Sequence, residues 1–250
     1  MKDVVTAGFI ELFGPFLYSS SGLFFLIIVI SMVEVLLPIF AITEQLPVGF
    51  HIDLVADAIN SDLVISFLPI ASAIPFAGSY IDDVRSKYVR FFLVRSSYKA
   101  YVVGRSIVCF LAGGITILSG VLLSWGIAAM TIIPLELNED EVIITSIVNL
   151  IEICYLMFLN GGFWSIVGMT MSTLMESKYI SYAVPFVFYY LLVIINERYF
   201  SDYFIFYPKT WMDPTAWPYG WVGATAFIVE ITLIFMFLFS FRAMRRLQHL

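Results

Sequence analysis

The stretch Asp82–Arg105 reads DDVRSKYVRFFLVRSSYKAYVVGR and holds six of the chain's 13 lysines and arginines. It lies between two apolar runs, Leu63–Ile81 and Ser106–Ile133. A connection between neighbouring helices needs only a handful of residues. This one is long, cationic and patterned. Val84, Tyr88, Phe91 and Phe92 recur at i, i+4, i+7 and i+8, on one helical face, while Arg85, Lys87 and Arg90 fall mostly off it. Ser96-Ser97 then offers a break and a new helix cap. Two readings fit: a basic loop resting on anionic lipid, or an amphipathic helix on which a separate protein docks.

The rest of the chain explains why so basic a segment stands between apolar runs. Of 250 residues, 61% are hydrophobic and only 13% charged, and the mean hydropathy is +0.95. So few charges cannot cover a soluble globule of this length. A soluble enzyme, a disordered chain and a nucleic-acid binder are excluded, which leaves an integral membrane protein. A helix crosses the hydrocarbon core in about 20 apolar residues. Six runs qualify: Leu23–Thr43, Leu63–Ile81, Ser106–Ile133, Ile143–Met175, Tyr179–Ile195 and Trp221–Phe241. The expected fold is all-α and polytopic, a single domain over residues 1–250. The fourth run is too long for one perpendicular crossing and carries Asn160-Gly161-Gly162 at its middle, so it is expected either to kink there or to project beyond the membrane. Cys109 and Cys154 lie inside apolar runs and read as small buried residues, not a disulfide.

Charge fixes the orientation. With both termini in the cytoplasm, the inner segments hold Lys2, Arg85, Lys87, Arg90, Arg95, Lys99, Arg105, Lys178, Arg242, Arg245 and Arg246, and the outer ones only Arg198 and Lys209. Acids run the other way, so the net charge of -6 says little by itself. No cleavable leader is evident, and a multi-pass protein of the plasma membrane is expected. Before the first run, Val5, Phe9, Leu12, Phe13 and Phe16 recur at helical spacing and read either as a surface helix within residues 1–22 or as an extension of the first run. Residues 196–220 are rich in aromatics and contain Pro208, Pro214 and Pro218. They read either as an aromatic belt or as a compact, partly re-entrant outer segment.

Chemistry is sparse. His51 and His249 lie outside the runs, no H-E-x-x-H zinc motif occurs, and none of the five lysines follows a glycine as a phosphate-binding loop requires. The chain is not expected to be an enzyme or to carry a cofactor; ATP, if used, is hydrolysed elsewhere. Glu34, Glu152 and Glu230 stand inside the runs, each roughly 14–16 Å from a run's end at 1.5 Å per residue. They are expected to share one mid-membrane layer, with no Lys or Arg at that depth. A carboxyl there is costly. It is either protonated and bonded to a neighbouring helix, or it lines a wet cavity and meets a cationic part of a substrate. Asn149 and Asn160, three turns apart, belong to the same candidate polar strip.

Six runs, a cationic amphipathic arm after the second, a surface helix at the start and a long final outer segment together resemble the membrane subunits of type-two ABC exporters. Locally the resemblance rests on Phe76-Ala77-Gly78-Ser79-Tyr80-Ile81-Asp82-Asp83, Arg90-Phe91-Phe92-Leu93, Arg95-Ser96-Ser97-Tyr98, Tyr101 and Arg105. Asp82 and Asp83 stand where the family usually has Glu. The resemblance implies that residues 82–105 form a coupling helix seated on a cytoplasmic ATP-binding subunit, with Asp82, Asp83, Arg85, Lys87, Arg90, Phe91, Arg95 and Tyr98 in the contact. It further implies ATP and magnesium in that partner, a second permease copy (identical or related), and an amphipathic peptide, antibiotic or lipid-like cargo, as in phenol-soluble modulin exporters. Three other functions remain open: the substrate-binding subunit of an energy-coupling-factor vitamin importer, an ion-coupled secondary carrier using the three glutamates, and a sensor or immunity protein.

Overall fold

The computed structural model describes residues 22–25, 27–36, 46, 49–89, 97–136, 143–200 and 203–247. Its helices are α1 (Gly22–Leu36), α2 (Phe50–Ile59), α3 (Asp62–Ala73), α4 (Ser79–Arg85), α5 (Tyr98–Ile132), α6 (Ile143–Met175), α7 (Lys178–Tyr199) and α8 (Trp221–Leu247). Among the described residues there is no strand, only an isolated bridge between Leu46 and Glu136. Four stretches are long and apolar enough to cross a bilayer: Tyr98–Leu135, Leu150–Met175, Lys178–Tyr199 and Trp221–Leu247. α2 and α3, bent by 69°, meet the same measure as a pair, and α1 is apolar but shorter. The chain is a membrane-embedded helical protein.

α5 and α6 pack antiparallel at the centre, and α3 and α8 each pack on both. Lipid tails are as apolar as leucine, so helices in a bilayer associate through close packing. Small residues make that possible here. A Cβ on Gly113 would lie 2.4 Å from the Ser165 Cβ and 2.5 Å from the Gly161 carbonyl oxygen. One on Gly161 would lie 2.8 Å from the Gly113 carbonyl oxygen. Cys109 adds a contact of 3.1 Å between its Sγ and the Ser165 Oγ. α6 is helical through Asn160-Gly161-Gly162 and over all its 33 residues, and the two glycines allow close approach of α5. Hydroxyls inside the bundle bond back along their own helices. Thr116 donates to the Ala112 carbonyl, Ser124 to Gly120, and Thr232 to Ile228.

Three boundaries differ from expectation. Residues 50–59, read as outer loop, form α2, with Leu54, Val55, Ala58 and Ile59 buried in the core. The run Leu63–Ile81 is divided: α3 ends at Ala73, and turns around Pro75, which has no N–H to continue a helix, lead to α4. The helix of the third run, α5, begins at Tyr98 rather than Ser106, because the Ser97 side chain accepts from the Ala100 N–H at 3.3 Å and caps it there. The expected surface helix within residues 1–22 lies almost wholly outside the described residues.

Residues 203–220 fold into three short 3-10 helices, Phe204–Phe206, Pro208–Trp211 and Pro214–Ala216. Trp211 is buried and stacks on Trp164 of α6 with centroids 6.0 Å apart, while Phe163 and Phe227 meet it edge-on. Its indole N–H donates to the Ile205 carbonyl at 2.8 Å, and that of Trp217 to the Thr210 carbonyl at 2.7 Å. Asn196 closes the end of α7 by donating to the Phe200 and Tyr203 carbonyls. Lys209 pairs with Asp62 at the start of α3 at 2.7 Å; that hydrogen bond raises its pKa, with burial opposing. This segment caps the end of the bundle opposite the basic residues.

Two outcomes follow from the packing. Gly113→Val should force α5 and α6 apart and destabilise the fold by about 1–3 kcal/mol or more, read as a lowered thermal midpoint in detergent. Trp211→Ala should cost about 3–5 kcal/mol and expose the cap to limited proteolysis before the helices.

Candidate functional site

At the basic end of the bundle, α4 is held on two sides. Asp83 accepts a hydrogen bond from the Tyr101 hydroxyl at 2.5 Å and an ion pair from Arg105, both on α5. The Arg105 guanidinium also lies over the rings of Phe76 and Tyr101, 5.1 and 5.6 Å from their centroids. On the other side, Asp82 pairs with Lys178 of α7 at 2.5 Å, and Arg85 donates to the Glu176 carbonyl at 3.0 Å. Glu176 forms the turn between α6 and α7 and has φ 57, a left-handed conformation that strains a non-glycine residue. Its carboxylate lies 3.3 Å from Arg246 of α8. Directly or through the α6–α7 turn, eight polar side chains on or beside five helices converge on this one end. Close packing reinforces them: a Cβ on Gly78 would lie 2.8 Å from the Lys178 side chain.

The expected coupling residues therefore divide. Asp82, Asp83 and Arg85 are engaged within the chain. Lys87 is exposed at φ 62, and Tyr98 is the half-buried first residue of α5. Arg90, Phe91 and Arg95 lie outside the described residues. The single amphipathic face expected from Val84 through Phe92 is broken, because α4 ends at Arg85 and the left-handed Lys87 turns the chain before Tyr88. Lys178 and Arg246 were legible only as topology-setting charges, and Glu176 was not singled out at all. Nothing in their spacing marked them as partners of Arg85 and Asp82.

The intramembrane acids are not in one layer. Phe163 of α6 meets Phe235 of α8, with ring centroids 5.8 Å apart, and the two helices run parallel. Glu230 stands five residues before Phe235, but Glu152 stands eleven before Phe163. Glu152 therefore lies at least about 9 Å nearer the cap end. Glu34 lies nearer still, one turn beyond Ser31, which accepts a hydrogen bond from Ser61 at the head of α3. Equal distances from run ends misled because the helices differ in length and offset. Glu34 and Glu230 are exposed and Glu152 is half-buried; none makes a hydrogen bond or ion pair among the described residues. Asn160 is fully buried, with Nδ2 donating to the Leu156 carbonyl at 3.1 Å and Oδ1 without a partner. The side chain of Asn149 lies outside the described residues.

A second polar knot was not foreseen. Glu136, at the far end of α5, accepts from the Gly49 and His51 backbone N–H groups at 3.2 and 2.7 Å. It also contacts the His51 Nδ1 at 2.9 Å. It supplies the N-terminal cap that Gly49, which has no side chain, cannot give α2. Comparison of the chain with protein-family models, curated proteins and solved structures found no match.

Asp83 and Asp82 differ in consequence. Asp83→Asn leaves the enclosed Arg105 without its carboxylate and should destabilise by about 3 kcal/mol. Asp82→Asn loosens an exposed pair and should cost less than about 1 kcal/mol. Unfolding of the two variants side by side in detergent checks the contrast.

Proposed function

We propose that the chain is the membrane-spanning subunit of an ATP-driven exporter, energised by a separate cytoplasmic ATP-binding subunit. In this reading α1 and the α3–α4 arm complete six crossings, the basic end faces the cytoplasm, and both termini lie there, in the plasma membrane. The observation that carries it is the double anchorage of α4. The arm that continues from α4 through residues 86–97 is joined to α5 through Asp83 and Arg105, and to the α6–α7 turn through Asp82, Arg85, Glu176 and Lys178. A displacement applied to that arm would reach three long helices at once. A linker that only rests on lipid has no need of such a connection.

The partner chains would bind ATP with magnesium and, on closing, draw the arms of two permease copies together, rocking each bundle between inward and outward states. The cargo would be an amphipathic peptide, antibiotic or lipid-like molecule. Glu34, Glu152 and Glu230, staggered in depth and unpaired, would offer acceptors to its cationic groups. The same unpaired carboxyls also favour a second reading, an ion-coupled carrier, which would transport in vesicles free of any ATPase.

Lys87→Glu together with Arg90→Glu should abolish co-purification of an ATP-binding chain in mild detergent and lower cargo-stimulated ATP hydrolysis at least tenfold, roughly the effect of 1.4 kcal/mol, with the permease still folded. An undisturbed complex, or the absence of any ATP-binding companion in the wild-type pull-down, refutes the proposal.

A further inference from the structure

The last four turns of α8 carry a feature that the exporter reading does not use. Ile234, Phe237, Leu238 and Phe241 are all exposed, Phe237 by 70%. They recur at three- and four-residue spacing and form one stripe. Phe237 and Phe241 stack at 6.4 Å and 20°. The stripe ends in two arginines: the Arg245 guanidinium lies 4.1 Å from the centroid of the Phe241 ring, and Arg242 precedes it by three residues, on the same side of the helix. Both are exposed and neither has a carboxylate partner among the described residues. The acids described at this end, Asp82, Asp83 and Glu176, are already taken by Lys178, Arg105 and Arg246. Positive charge is therefore left over next to an apolar surface.

We propose that this stripe and its two arginines bind an anionic phospholipid. The acyl chain would lie along Ile234, Phe237, Leu238 and Phe241, and the phosphate would sit between Arg242 and Arg245. Length supports the fit. From Ile234 to Arg245 the helix rises roughly 16 Å, close to one leaflet's share of a hydrocarbon core about 30 Å thick. Charge supports it too, since two unpaired guanidiniums at a membrane boundary favour an anionic headgroup over a zwitterionic one. The ring beneath Arg245 holds its plane in place and leaves the N–H edge free for phosphate oxygens.

The test uses the full chain in a neutral detergent, titrated with phosphatidylglycerol or with phosphatidylcholine of the same acyl composition. Lipid retention is read by native mass spectrometry and stability by thermal midpoint. Phosphatidylglycerol should be retained and should raise the midpoint more than phosphatidylcholine does, and inorganic phosphate alone should do neither. Arg242→Gln with Arg245→Gln should reduce phosphatidylglycerol retention roughly tenfold, whereas the double Lys variant should keep most of it. Phe237→Ala should weaken both lipids alike. Equal retention of the two lipids by the wild type, or undiminished phosphatidylglycerol binding by the Gln variant, overturns the proposal. So does capture of an acidic protein that needs the two arginines while no lipid preference is seen.

Discussion

The bundle depends on how closely α5 and α6 approach one another. In water a helix pair of this kind could be held by burial of leucines; in lipid that drive is absent, and association rests on packing and hydrogen bonds. Gly113 and Gly161 bring the backbones to within the reach of a missing methyl group. Cys109 and Ser165 add a polar contact at the same crossing. α3 and α8 then pack on the pair, so the positions of α4, of the cap and of the three glutamates are all inherited from this one crossing.

Much of this was legible in the sequence. Hydropathy alone identified α6 and α7 within four residues of their ends and the start of α8, whose last six residues, with Arg242, Arg245 and Arg246, lay beyond the apolar run. The serine pair at 96–97 marked the start of α5, though the basic residues Lys99 and Arg105 disguised its first two turns as loop. α2 was missed for a related reason. Asp53 and Asp57 dilute its hydropathy, yet Ile52, Val55 and Ile59 already recur at helical spacing and are the side chains that become buried. Depth was not legible at all. The offsets between helices are set by which glycine meets which side chain, so carboxyls equally far from their run ends need not share a level.

Electrostatics divide the molecule into three zones. At the basic end, opposite charges neutralise one another and bind α4 to its neighbours. At the cap end, Asp62 with Lys209 and Glu136 with His51 fasten α2, α3 and the aromatic cap. Between them Thr116, Ser124 and Thr232 are satisfied along their own helices, and the acids of the apolar runs, Glu34, Glu152 and Glu230, make no hydrogen bond or ion pair among the described residues. Charges that complete the fold and charges available to something outside it stand side by side at the basic end, where Arg246 pairs with Glu176 while Arg242 and Arg245 have no carboxylate partner among the described residues.

The remote capping of α2 also bears on how the chain is made. The N–H groups at the head of α2 wait for an acceptor 85 residues later in the chain. When α2 leaves the ribosome, Glu136 has not yet been synthesised. The first turn of α2 must therefore find another acceptor, such as water, during early insertion, and its Glu136 cap can form only after α5 has been made.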